Sequence, residues 1–181
     1  MTFLQIIAIG ILLLVNIFFF LMLAGGMLGA SFGSPFIPTS NKILKKMIDL
    51  AEIKKGQKVF DLGCGDGRII FASEEKGALC TGIEISPPVF LIAKLIKFCK
   101  RKKSKLILGN FFNNKDIFQA DVIFLFLMPK VMQKFYQEIF PHLKKGTKII
   151  SHAFTIKNLT AKKSILRRDS GHAPIFLFVK E

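Results

Sequence analysis

The stretch Val59-Phe60-Asp61-Leu62-Gly63-Cys64-Gly65-Asp66-Gly67-Arg68-Ile69-Ile70 decides how the rest of the chain is read. An apolar run ends beside an acid, glycines follow at 63, 65 and 67, and an apolar helical pattern opens directly after them. This is the pattern of a strand, a tight turn and a helix, in which glycine lets the backbone turn sharply and approach a ligand closely. The spacing is GxGxG, not the GxGxxG of nicotinamide and flavin sites, and no Lys-Ser/Thr pair follows as in a P-loop. An acid just ahead of the glycines, Asp61, suits an ammonium group better than a pyrophosphate.

Working outward, short apolar runs at 58–62, 79–84, 105–109, 121–127 and 147–154 are separated by helical patterns around 69–76, 88–100 and 130–140. A further amphipathic helix is predicted over Asn41–Ala51. Strands alternating with helices imply right-handed βαβ units and a mainly parallel sheet. The ending differs: strand-like runs at 164–168 and 174–179 are separated by a connection too short for a crossover helix, so an antiparallel hairpin is predicted. The expected fold class is α/β, a Rossmann-like seven-stranded sheet with a terminal antiparallel hairpin.

No Asp, Glu, Lys or Arg occurs before Lys42. Residues 3–24 are almost wholly apolar and, at ~1.5 Å rise per residue, cover roughly the ~30 Å of a bilayer core. The expected organisation is a transmembrane helix at 1–24, a membrane-proximal connector at 25–40, rich in Gly, Ser and Pro, and a catalytic domain at 41–181. A cleaved signal peptide is the competing reading. It calls for a basic start and a shorter apolar run than this one, although Leu28-Gly29-Ala30 offers small residues for cleavage. All 27 Lys and Arg follow the apolar segment, which by the positive-inside tendency puts the N-terminus outside and the domain in the cytoplasm. Cys64, Cys80 and Cys99 have no metal-ligand spacing and read as reduced thiols, in keeping with that side.

The net charge of +15 raises the question of nucleic acid, but 23 of the basic residues are Lys and only four are Arg, with one Tyr and no Trp. Specific readout favours Arg forks and stacking aromatics, so no specific nucleic-acid partner is expected. The densest basic run, 97–105, reads as a solvated helix end or as a surface lying against anionic headgroups. Asp66 and Arg68 read as polar residues at a helix start, with Arg68 as a surface or interdomain partner. His142 and His172 share no metal spacing, and no metal is assigned.

Asp61, the glycine turn, and Glu84 at the end of the second strand together resemble the class I S-adenosylmethionine-dependent methyltransferases, over roughly residues 41–181. The resemblance implies S-adenosylmethionine as cofactor, its methionine part held by Asp61, Gly63, Cys64, Gly65 and Gly67, and its ribose by Glu84. After the third strand the family often places an acid on the adenine amine. Here Asn110 stands in that place, and its amide oxygen can accept from the amine.

Many amino-group methylases of nucleic acid carry an Asn/Asp-Pro-Pro-aromatic tetrad after the fourth strand, where this chain has Phe126-Leu127-Met128-Pro129. A closer resemblance covers the whole chain: the apolar helix, the segment Ser34-Pro35-Phe36-Ile37-Pro38-Thr39-Ser40, and DLGCGDGRII. These resemble the membrane-anchored protein-lysine methyltransferases of the ATP synthase c-subunit and adenine nucleotide translocase, with their prokaryotic relatives. That resemblance implies a lysine acceptor in a membrane protein near the bilayer surface. Thr39, Ser40 and His152 are the candidate catalytic groups, with helix capping and a strand-end hydrogen bond as their structural alternatives. Two further functions stay open: a membrane lipid or quinone methyltransferase, and a protein that binds the cofactor without transferring its methyl group.

Overall fold

The computed structural model describes residues 2–31, 36–166 and 173–181. Helix α1 (Phe3–Ser31) is followed by α2 (Asn41–Ala51), β1 (Lys58–Leu62), α3 (Arg68–Glu74), β2 (Leu79–Glu84), α4 (Pro87–Cys99) and β3 (Lys105–Leu108). Then come β4 (Val122–Leu125), α5 (Pro129–Glu138), β5 (Lys148–His152), β6 (Lys163–Ile165) and β7 (Ile175–Val179). The strands form one sheet in the order β3-β2-β1-β4-β5-β7-β6. Neighbours among the first five strands pair in parallel, while β7 runs antiparallel to both β5 and β6.

The strand order reverses between β1 and β4, so the C-terminal ends of these two strands open a crevice, the place where open α/β sheets bind ligands. The central strands read as continuous apolar runs because both faces are covered: β4 is buried along its whole length. One apolar cluster takes Met47 of α2, Ile70 of α3 and Phe124 of β4. The other takes Leu62, Ile123 and Phe135 of α5. Ser40 starts α2 by accepting a hydrogen bond from the Ile43 N–H at 3.5 Å. Ile43, Met47, Ile48 and Ala51 then form the face that α2 buries.

Two expectations are amended, the end of α1 and the bounds of β6. Helix α1 does not stop at 24 but continues through Ser31, into the stretch expected to be connector. Glycine inside a helix costs only about 1 kcal/mol, and no proline interrupts the chain before Pro35, so Gly25, Gly26 and Gly29 do not end it. The β3–β4 crossover, where the sequence shows no helical pattern, is made of two short 3-10 turns, Phe111–Asn113 and Lys115–Gln119. In the hairpin β6 begins one residue earlier than expected and is shorter. Arg167, Arg168, residues 169–171 of the expected turn, and His172 lie outside the described residues, as do Ser34 and Pro35.

Within α1, Phe3–Phe20 is long and apolar enough to cross a membrane by length and composition, and none of it is buried by the rest of the chain. A signal sequence would share that composition.

Candidate active site

A cavity of about 850 Å³ lies at the C-terminal ends of β1, β2 and β4. Its floor is the strand-turn-helix singled out in the sequence. Asp61, Gly63, Cys64 and Gly65 line it; Gly67 does not, and instead starts α3 with its N–H on the Cys64 carbonyl. Gly65 is at φ +58°, and a Cβ there would stand 2.5 Å from the Phe36 ring. No side chain fits between the turn and that ring, so Phe36 packs directly on bare backbone there.

Asp61 is 3% exposed. Burial first, then the neighbouring Glu84 and Asp66 carboxylates, push its carboxyl up to about 8. A carboxyl held this way gains by meeting a cation. Burial, helped by Asp61, also raises the Cys64 thiol well above its ordinary value, so that thiol is a neutral part of the wall and not a nucleophile.

Glu84 is buried and already at work: one oxygen accepts from the Gly65 N–H at 2.9 Å and the other from the Ser86 N–H at 2.8 Å. It therefore ties the glycine turn of β1 to the end of β2. Two of a carboxylate's four lone-pair sites remain for hydroxyl donors. Beside it Ser86 Oγ, also in the cavity wall, is buried with no hydrogen-bond partner among the described residues. A buried hydroxyl without a partner is costly unless a ligand completes it. The buried carboxyl, the bare-backbone turn, and this acid-hydroxyl pair fit, in that order, an ammonium, a close-packed chain and a ribose, the parts of S-adenosylmethionine.

Asn110 lines the cavity, but its amide oxygen accepts from the Phe112 N–H at 3.0 Å and so starts the first 3-10 turn. The oxygen expected to face adenine thus has one lone pair committed to the backbone, because the chain leaving β3 must cap that turn. Thr39 is buried and lines the cavity. Ser40 does not line it, being used as the α2 cap. His152, at the end of β5, is buried with its ring 4.3 Å from that of Phe126. Phe126 lines the cavity and His152 does not.

Sequence reasoning missed several groups. Arg68 grips Asp66 through both carboxylate oxygens, with Nη2 to Oδ2 at 2.6 Å, and donates from Nη1 to the Thr39 carbonyl. It thereby fastens the connector to the glycine turn. Phe36, Phe111, Phe112 and Phe126 give the cavity an aromatic wall, and Lys134 of α5 lays its ammonium over the Phe112 ring, 4.4 Å from the centroid. The pairing of β1 with β2 puts Gly82 opposite Asp61, and a Cβ there would meet Cys64 Sγ and Ile70 Cδ1, each at 2.8 Å. Proximity of Arg68 to the acid at 66 was the one available signal. The rest depend on contacts between distant segments.

Residues 61–163 match the family model described as ANTKMT methyltransferase domain, which is more than half of the chain. The chain belongs to the ANTKMT methyltransferase domain family. As a member it is a methyltransferase with S-adenosylmethionine as its cofactor. A protein-lysine N-methyltransferase of Saccharolobus islandicus (strain REY15A) is 31% identical over 150 residues, covering 80% of this chain and 92% of that protein. The human ATP synthase c-subunit lysine N-methyltransferase is 36% identical over 53 residues, 29% of this chain and 22% of that one. Among solved structures, an RNA methyltransferase from Salinibacter ruber in complex with S-adenosyl-L-homocysteine superposes with a TM-score of 0.74 at 28% identity, covering 80% of this chain and 94% of that chain.

Proposed function

We propose that this methyltransferase acts on a lysine side chain of a membrane protein, presented close to the bilayer surface. In this reading α1 spans the membrane, the N-terminus lies outside, and the sheet faces the cytoplasm. The observation that carries the lysine acceptor is the seat of Lys134: its Nζ rests over the Phe112 ring in the cavity wall. A positive charge held in the wall favours the neutral form of an incoming amine, the form that methyl transfer needs. The relatives from Saccharolobus islandicus and human, both named for lysine N-methylation, support the same acceptor.

When bound, the cofactor supplies a methyl group on a positively charged sulfur. Asp61 would hold its ammonium end, the turn at Gly63, Cys64 and Gly65 would meet its chain, and Glu84 with Ser86 would receive the ribose hydroxyls. Asn110 would offer its remaining lone pair to the adenine amine. Transfer to nitrogen needs little beyond in-line approach at about 3–3.5 Å, so most of the catalysis is positioning. The acceptor must arrive neutral although free lysine has a pKa of about 10.4. Phe36, Phe111 and Phe126 strip water from it, which favours the neutral amine. Thr39 is the hydroxyl in the wall that can orient the amine, and His152 steadies Phe126 from behind.

The test incubates host membranes and the full chain with methyl-labelled S-adenosylmethionine, then separates protein, lipid and RNA. Label in protein, recovered as methyllysine, is the expected result. Label confined to lipid or quinone, confined to RNA, or transferred nowhere despite cofactor binding overturns the reading.

A further inference from the structure

Helix α4 presents two unlike faces. Val89 and Ala93 are buried on its inner side, whereas Leu91, Leu95 and Phe98 recur at i, i+4 and i+7 on the outer side, 62%, 63% and 81% exposed. Three large apolar side chains in line are more than scattered surface hydrophobics. Lys94 flanks this stripe, and Lys100, Arg101, Lys103 and Lys105 stand exposed just beyond it. No Asp or Glu occurs between Glu84 and Asp116; Glu75, from the end of α3, pairs with Lys102 at 2.6 Å. Helix α1 packs against α4 and leaves the stripe uncovered.

We propose that the Leu91-Leu95-Phe98 face of α4 lies in the headgroup region of an anionic bilayer, forming a second membrane attachment beside α1. An apolar stripe bordered by Lys and Arg is the composition of an interfacial helix, and anionic lipid attracts each basic residue near the surface. Because α1 and α4 are in contact, a bilayer entered by α1 would lie close to the stripe; to that extent the inference rests on the membrane reading above. A second copy of the chain is a poor occupant, since a two-fold pairing of this face would set Lys94, Lys100 and Arg101 against their own counterparts. The attachment has a consequence for the active site. Glu84 and Ser86 lead directly into Pro87 of α4, so docking α4 fixes the cavity's orientation to the membrane and the direction from which an acceptor enters.

Cys99 is exposed next to Phe98 while Cys64 and Cys80 are buried, so an environment-sensitive thiol probe reports on this face alone. The full chain, labelled at Cys99, is reconstituted in nanodiscs of phosphatidylcholine with and without phosphatidylglycerol. With phosphatidylglycerol the probe should shift to the blue, be quenched by a lipid-borne nitroxide, and lose several-fold in acrylamide quenching. Leu91→Glu with Leu95→Glu should abolish these changes. Lys94→Gln with Lys100→Gln and Arg101→Gln should remove their dependence on phosphatidylglycerol, with the circular dichroism of both variants unchanged. A wild-type probe equally open to acrylamide in both discs overturns the inference, as does protection that scales with the number of chains per disc. Failure of the span reading looks different: the chain would be recovered in the aqueous fraction from phosphatidylcholine vesicles yet keep its Cys99 response on phosphatidylglycerol vesicles, which supports the α4 surface and removes only the span.

Discussion

Asp61 carries a tension between stability and function. Its carboxyl, pushed up to about 8 by burial and by Glu84 and Asp66, holds a proton in the folded chain that the unfolded chain releases near 3.8. Its contribution to stability is therefore complete below about pH 3.8 and is lost as pH rises to about 8. In the proposed reading cofactor binding runs the other way, because an ammonium group placed at Asp61 needs the carboxylate. Affinity should rise with pH by up to about tenfold per unit, then pass a maximum near the α-amino pKa of about 7.7–8.0. Calorimetry across pH should find that limb in the wild type and its absence in Asp61→Asn, with affinity lowered by about 1.5–3 kcal/mol at pH 8, the scale of a charge-assisted hydrogen bond. The same variant, free of cofactor, should melt a few degrees higher than wild type at pH 8. Asp61 and Glu84 were legible in the sequence because each closes a strand beside the turn. Gly82 was not, because what excludes a side chain there is Cys64 and Ile70, brought in by the turn and by α3. Gly82→Ala should cost about 1–3 kcal/mol in denaturant unfolding through overpacking.

At the scale of elements, the segment 36–40 acts as a strap over the turn. Arg68 holds it by joining Asp66 to the Thr39 carbonyl, and Phe36 caps Gly65. Arg68→Ala should weaken cofactor affinity by about 1–3 kcal/mol, and Arg68→Lys should restore little of it because an ammonium cannot form the fork. Ser40→Ala separates capping from catalysis: a loss of about 1 kcal/mol in stability is expected, with kcat retained. Strand and helix positions were readable to within one or two residues wherever the period was clear, as for β1 and β2. The end of α1 was misjudged because the glycines of GGMLGA are only weak helix breakers. The crossover at 111–119 was unreadable as structure because its hydrogen bonds come from Asn110 and Asn114 side chains capping short turns.

For the whole molecule, the mainly parallel seven-stranded sheet and its closing antiparallel hairpin were readable in the sequence pattern, whereas the strand order, with β7 between β5 and β6, was not. What the pattern could not convey is which faces stay uncovered, since that depends on how α1 and α4 meet. If α1 anchors the chain as proposed, the catalyst searches only for acceptors within short reach of the bilayer, which raises their effective concentration without any new contact. With a net charge of +15 it also repels free lysine-rich segments, while a lysine carried by a membrane protein arrives already confined. The most direct measurement is peptide mass spectrometry of host membranes, taken from cells lacking the chain and incubated with the purified full chain and methyl-deuterated S-adenosylmethionine. Deuterated methyl groups should appear on the Nζ of a lysine within a few residues of a membrane span and fall at least about tenfold when the added chain carries Asp61→Asn at a cofactor concentration that does not saturate the variant. Deuterated methyl on lysines of water-soluble proteins to the same extent, or on no lysine at all, would contradict the account.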